Sequence, residues 1–183
     1  SEVKSVWMHM SQLNQYSSRE VPGFVNVLGS ASNTATVTMW GDNGAFSATS
    51  RKGDYFRGEL AVTNTVNPVW LTITNLAVLQ NGSNPDIVTN TIGKTFVPKT
   101  AESFAYDLDG NLTSDGRWTY IWDAENRLLS MTSLSTAPTA SKLKLDFSYD
   151  SKGRRIQKLV STNNGSIYVA QYTNPFVHPV RYD

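Results

Sequence analysis

The feature that most restricts this chain is a short pattern that returns three times in its C-terminal part. The copies are FAYDLDGNLTSDGRW from Phe104, YIWDAENRLLSM from Tyr120 and FSYDSKGRRIQKLV from Phe147. Each opens aromatic–x–aromatic–Asp, passes through a turn and leaves on an apolar strand. Phe104 and Tyr106 lie two apart, so they share one strand face. Asp107, Asp123 and Asp150 are placed to accept backbone N–H groups across the turn that follows. Gly110 and Gly153 supply the backbone freedom such a turn needs. Leu112, Leu128 and Ile156 are expected to start the return strands. A lone hairpin cannot bury its apolar face, so neighbouring copies must stack. The Asp residues stand 16 and then 27 positions apart. The segment TSLSTAPTASK at 132–142 accounts for the wider gap as an exposed loop. The sequence stops on a fourth aromatic–Asp pair, Tyr182-Asp183.

Elsewhere Pro, Gly, Asn, Ser and Thr break the chain every ~8–12 residues, the rhythm of short strands joined by turns. The expectation is an all-β protein in three parts. Residues 1–21 hold an N-terminal strand that returns to the repeat sheet. Its two alternating sets, Val3, Ser5, Trp7, His9 and Lys4, Val6, Met8, Met10, leave the buried face undecided. Residues 22–100 form a small β-sandwich or barrel, opened by Pro22-Gly23. Ala35, Val37 and Met39 alternate there, and Asn43-Gly44 has hairpin chemistry. Residues 101–183 carry the repeat hairpins.

Composition removes several functions. Hydrophobic residues make up 39% of the chain and charged residues 17%, enough for a core and too few charges for a disordered tail. The net charge is +1, and the short basic run Lys152, Arg154, Arg155, Lys158 reads as the solvated face of a strand pair, so no nucleic-acid partner is expected. No apolar run approaches the ~20 residues of a membrane span, and no membrane partner is expected. The chain has no Cys, which excludes disulfides and thiolate chemistry. The segment SEVKSVWMHM lacks a signal-peptide core, and the compartment stays open. His9 and His178 are the two histidines, too few for a zinc cluster. Neither a G-x-S-x-G elbow nor a phosphate loop is present.

Oxygen chemistry remains. Asp107, Asp109 and Asn111 alternate around Gly110, with Asp115 following. Such oxygens suit Ca²⁺, which takes six to eight of them. The competing reading is a repeat turn stabilised by its own Asp side chain, which explains Asp109 and Asp115 least. Trp118, Tyr120 and Trp122 share strand parity and so one face, either packed against the sheet or offered as a stacking platform for a glycan.

The stretch Tyr106-Asp107-Leu108-Asp109-Gly110-Asn111-Leu112, then Gly116 through Trp122-Asp123, then Ala124-Glu125-Asn126-Arg127-Leu128, resembles the Rhs/YD-repeat family. Gln15-Tyr16 looks like the start of another unit. Residues 22–97 do not carry the repeat and resemble an immunoglobulin-like insert between such repeats. The resemblance implies a bacterial, exported or cell-surface shell segment, built from hairpins wound into a hollow wall. This chain is too short to close such a wall, which implies protection of its sheet edges by homodimerisation. A closer resemblance, to calcium-dependent N-acyl-homoserine lactone hydrolases recovered from environmental DNA, implies quorum quenching on a small lactone. Ca²⁺ held by Asp107, Asp109, Asn111 and Asp115 would then polarise the lactone carbonyl, and Asp123 or Glu125 would take a proton from bound water. The shell segment and the glycan-binding module stand as alternatives.

Overall fold

The computed structural model describes residues 8–11 and 14–175. Tyr182-Asp183, His178 and the Val3–Trp7 alternation lie outside the described residues. The protein is all-β and antiparallel, and the chain divides into two compact units, Ser1–Glu20 with Ala101–Asp183, and Val21–Thr100.

Among the described residues the first unit opens on a hairpin of β1 (Met8–Met10) and β2 (Tyr16–Arg19). The chain then enters the second unit, with strands β3 (Phe24–Ser30), β4 (Thr36–Gly41), β5 (Phe46–Ala48), β6 (Ser50–Lys52), β7 (Tyr55–Ala61), β8 (Val69–Leu79) and β9 (Ile87–Val97). They form two sheets, ordered β3-β7-β6 and β5-β4-β8-β9. Successive strands switch sheets at β3–β4, β5–β6 and β7–β8, and the two sheets share one core as a β-sandwich. The alternation read at Ala35, Val37 and Met39 points into its core, where Met39, Leu60 and Leu71 are fully buried among Val37, Phe56, Val62, Ile73 and Val97. Of Asn43-Gly44, only Gly44 takes positive φ; the Asn43 side chain accepts the Ala45 N–H instead. Buried Asn64 ties the two ends of the unit by donating to the Val21 and Pro98 carbonyls.

The first unit resumes with β10 (Glu102–Ser103) and β11 (Ala105–Tyr106), then β12 (Leu112–Ser114), β13 (Trp118–Trp122), β14 (Leu128–Ser133), β15 (Leu143–Tyr149), β16 (Arg155–Asn163) and β17 (Tyr168–Pro175). β10 pairs with β2, joining Glu102 to Arg19. Strands β11 to β17 form one seven-stranded meander in sequence order. Residues 132–142 are not the exposed loop expected. Ser133, Ala137 and Ser141 are buried, a 3-10 turn spans Thr139–Ser141, and Ser133 accepts the Leu143 N–H. Small side chains let this segment fold back on itself where a longer one would be pushed into solvent.

Each return strand carries a bulge. Tyr106 pairs with Leu112 but Ala105 with Ser114; Trp122 pairs with Leu128 but Ile121 with Ser130; Tyr149 pairs with Arg155 but Ser148 with Gln157. Thr113, Leu129 and Ile156 are therefore the extra residues. Ile156 is not the counterpart of Leu112 and Leu128; Arg155 is. The guanidinium of Arg155 lies over the Phe147 and Tyr149 rings at 4.3 and 5.8 Å.

Candidate functional site

The three aspartates make one turn three times. In each, the Asp N–H donates to the carbonyl four residues on, at 3.0 Å for Asp107–Asn111, Asp123–Arg127 and Asp150–Arg154. The Asp carbonyl in turn accepts from Gly110, Asn126 or Gly153, at 3.0–3.2 Å. Those three residues hold φ of 87°, 59° and 74°, so the turn needs Gly or Asn there. One carboxylate oxygen accepts two backbone N–H groups, those of Asp109 and Asn111, Glu125 and Arg127, or Lys152 and Arg154. The other accepts the side chain four residues on: Asn111 Nδ2 at 3.1 Å, Arg127 Nε at 2.7 Å, Arg154 Nε at 2.7 Å.

A fourth copy was hidden in the sequence because Ser replaces Asp. Ser11 N–H donates to the Gln15 carbonyl at 2.7 Å, and the Asn14 N–H to the Ser11 carbonyl at 3.1 Å. Asn14 has φ 60°. Met10 pairs with Tyr16 while His9 pairs with Ser18, leaving Ser17 as the bulge. The Ser11 hydroxyl takes the Gln15 N–H at 3.3 Å, a weaker version of the carboxylate bond.

The copies are joined by one rule. The residue four after the cap reaches the positive-φ residue of the next turn. Asn111 Nδ2 donates to Asn126 Oδ1 at 2.7 Å. Gln15 Nε2 lies 3.5 Å from where a Cβ of Gly110 would stand, and Arg127 Nη1 lies 3.9 Å from the same point at Gly153. A second link uses the aromatic just before the Asp. Trp122 Nε1 donates to the Leu112 carbonyl at 2.8 Å, and the Tyr149 hydroxyl to the Leu128 carbonyl at 2.9 Å. Each of these carbonyls immediately precedes a bulge residue, where the regular ladder is broken and an acceptor needs another donor. Arg127 also stacks on Tyr149 of the next copy, 5.2 Å from the ring centre.

This geometry fixes what the sequence-derived candidates can do. Asp107, Asp109 and Asn111 belong to the turn between β11 and β12. Asp115 belongs to the next turn, beyond β12. There its Oδ1 accepts the Arg117 and Trp118 N–H groups and its Oδ2 accepts the Tyr120 hydroxyl at 2.6 Å. Burial and that carboxylate push the Tyr120 hydroxyl pKa up. Asn111 turns its amide nitrogen, not its oxygen, toward Asp107. Among the described residues no group of three or more His, Asp or Glu is arranged to hold a metal ion. The carboxylates of Asp107 and Asp115 are thus engaged by donors of two different turns.

Hydrogen bonds from the backbone N–H of Arg127 hold the Asp123 carboxyl below the ordinary carboxylate range, with the Arg127 side chain adding to it; Arg154 does the same for Asp150. At Asp107 burial works the other way, yet the Asn111 and Asp109 donors still hold the carboxyl low. A carboxylate lowered in this way is a weaker proton acceptor near neutral pH, not a stronger one. Glu125 is exposed and pairs with Arg127 at 2.9 Å. Trp118, Tyr120 and Trp122 do share one half-buried face of β13, alternating with exposed Thr119 and Ile121. Arg117 covers Trp118 at 4.9 Å, and the other two rings are tied by the bonds already named.

Comparison with known proteins finds a partial likeness. Over 63 residues, 34% of this chain, it is 48% identical to a tRNA3(Ser)-specific nuclease WapA of Bacillus spizizenii. Over 61 residues it is 48% identical to the tRNA nuclease WapA of Bacillus subtilis strain 168. These matches support an Rhs-like segment within the chain. The matched stretch spans 2% of the length of either relative. No family model matches the chain, and no solved structure matches it.

Sequence reasoning missed Ser11, Asn14 and Gln15 as a turn, and Glu102 altogether. Glu102 is a buried carboxylate that pairs with Arg19 and accepts the Gly116 N–H at 3.1 Å. Its one signal was Gly116, a glycine that no turn explains.

Proposed function

We propose that this chain is a structural wall segment of the Rhs type, a stack of turn-capped hairpins carrying a sandwich insert, with no reaction of its own. One observation carries this reading. In all three Asp turns both carboxylate oxygens accept the turn's own donors, and in the first two the residue that completes the turn also reaches the next one. Residue types chosen for such bonding serve rigidity, and their protons are held where catalysis does not want them. The partial likeness to the WapA proteins supports the repeat nature of the segment; the tRNA nuclease activity in their names belongs to proteins far longer than the matched stretch.

Lactone opening tests the proposal most sharply. Protein stripped with chelator is mixed with an N-acyl-homoserine lactone, proton release is followed, and Ca²⁺ is then titrated in. The expected rate is that of buffer at every Ca²⁺ concentration. Saturable opening that appears with Ca²⁺ and vanishes in Asp107→Ala would overturn the structural reading in favour of the calcium-dependent hydrolase. A glycan array is expected to stay silent, since Trp118, Tyr120 and Trp122 are engaged within the sheet.

A further inference from the structure

The sandwich leaves its longest edge strand without the protections that sheet edges normally carry. Exposed edges are blunted by short strands, Pro, bulges or charge. β1, β5 and β6 are three residues long, and β6 carries Arg51 and Lys52. β17 pairs with a register shift and ends at Pro175. β9 has none of these. It runs eleven residues beside β8 without a break in register and forms the end of its sheet. From Ile87 to Gly93 it holds no ionisable side chain, and residues 87–94 are all exposed.

The sequence of this edge is its own complement. Laid antiparallel on itself about Asn90, the segment Asp86-Ile87-Val88-Thr89-Asn90-Thr91-Ile92-Gly93-Lys94 pairs Asp86 with Lys94, Ile87 with Gly93, Val88 with Ile92, Thr89 with Thr91 and Asn90 with Asn90. Opposite charges meet at both ends and no like charges meet anywhere. β-branched residues face each other, and Thr faces Thr; each such cross-strand pair is favourable. Alternation places Asp86, Val88, Asn90, Ile92 and Lys94 on one face. Val88 and Ile92 are 58% and 66% exposed in the single chain; about the two-fold each Val88 meets Ile92 of the other copy, giving one apolar pair on either side of the central Asn90 pair. Ile87 falls opposite Gly93, where a Cβ would meet nothing within 4 Å, so its branched side chain has room.

We infer that two copies of this chain associate through antiparallel pairing of their β9 edges, centred on Asn90, to give one continuous eight-stranded sheet. The interface is isologous, as a two-fold requires. A strand edge of this length is small against the ~1,200–2,000 Å² of stable complexes, so the dimer dissociates at micromolar rather than nanomolar concentration. This inference concerns the sandwich alone and stands or falls separately from the wall-segment proposal.

Sedimentation velocity of the full chain across the micromolar range tests it. The wild type is expected to shift from monomer to dimer with concentration. Asp86→Lys replaces two attractive pairs with two repulsive ones and should weaken association about ten-fold. Lys94→Asp should do the same, and the double exchange of Asp86→Lys with Lys94→Asp should restore it. The chain has no Cys, so Asn90→Cys introduces a single thiol that should cross-link to its own copy under mild oxidation. A chain that stays monomeric throughout, a dimer unmoved by Asp86→Lys, or an Asn90→Cys variant that does not cross-link would each overturn the β9 pairing.

Discussion

Replacing Gly116 by Ala probes a place where a buried charge holds the repeat unit to its N-terminal hairpin. A Cβ at Gly116 would stand 2.5 Å from Glu102 Cγ, 2.8 Å from its Oε1 and 2.9 Å from its Cδ. The closest clash is with Cγ, so swinging the carboxylate tip aside cannot relieve it. Glu102 is 4% exposed and must shift as a whole. Its bond from the Gly116 N–H is charge-assisted, and losing it costs about 1.5–3 kcal/mol. The ion pair with Arg19 loosens too, but Arg19 is 42% exposed, so that part is screened and worth ~1 kcal/mol at most. Against these losses, Ala restricts the unfolded chain and returns about 0.4–1 kcal/mol. The net expectation is a loss of about 2 kcal/mol, of the order of one charge-assisted hydrogen bond. Urea unfolding read by hydrogen-exchange mass spectrometry reports residues 102–163 separately from the sandwich strands. The loss should fall on the former, while Gly93→Ala, with open space at its Cβ, should leave stability within about 0.5 kcal/mol. An unchanged midpoint for residues 102–163 in Gly116→Ala would refute the claim that Glu102 is fixed in place.

Three further outcomes follow from the stack. Tyr149→Phe removes the donor to the Leu128 carbonyl beside the bulge and should cost about 1 kcal/mol, measured by urea unfolding; no loss would mean water serves that carbonyl equally well. Asn126→Ala places a Cβ-branched-free but chiral residue at φ 59° and breaks the bond to Asn111, so it should cost about 1–2 kcal/mol, whereas Asn126→Gly should recover the backbone part only. Asp107, Asp123 and Asp150 titrate below their ordinary value when folded, so their contribution is full above the unfolded value of ~3.9 and fades as pH falls through the folded values. Thermal melts from pH 6 to pH 2 should therefore lose stability on the acid side, and Asp123→Asn with Asp150→Asn should flatten that slope; an unchanged slope would remove these carboxylates as its source.

Much of the repeat unit was legible because its constraints are local. An Asp followed three residues later by Gly fixes a turn within five residues, and period-two alternation at Ala35, Val37 and Met39 names a buried face without any tertiary knowledge. What escaped depended on partners distant in sequence. The bulge that makes Arg155, not Ile156, the counterpart of Leu128 is invisible to alternation, since one extra residue resets the parity. The segment at 132–142 looks polar because its inward residues, Ser133, Ala137 and Ser141, are small enough to pack without apolar bulk. Ser11 hid a fourth turn because a hydroxyl accepts fewer bonds than a carboxylate, and the Asp pattern alone does not find it. Alternating oxygens look the same in sequence whether they face outward to an ion or inward to the backbone, so the pattern at Asp107, Asp109 and Asn111 carries both readings.

The stack also explains why the linking residue varies while the turn does not. Position four after the cap is Gln15, Asn111, Arg127 and Arg154 in the four copies. Each keeps a nitrogen donor, yet the reach differs by several bonds. Asn111 meets another Asn and closes a short direct bond. Arg127 meets Gly153, which has no side chain, and uses its extra length to cover Tyr149 as well. A short donor thus faces a turn residue that reaches back, and a long donor faces one that does not. The positive-φ position, limited to Gly or Asn by its backbone, thereby sets the length required of the preceding donor. That coupling predicts that Asn126→Gly is best rescued by lengthening its partner with Asn111→Arg, measured as recovered stability in the double variant; equal destabilisation in the single and the double variant would show that the turns are held by their own bonds alone.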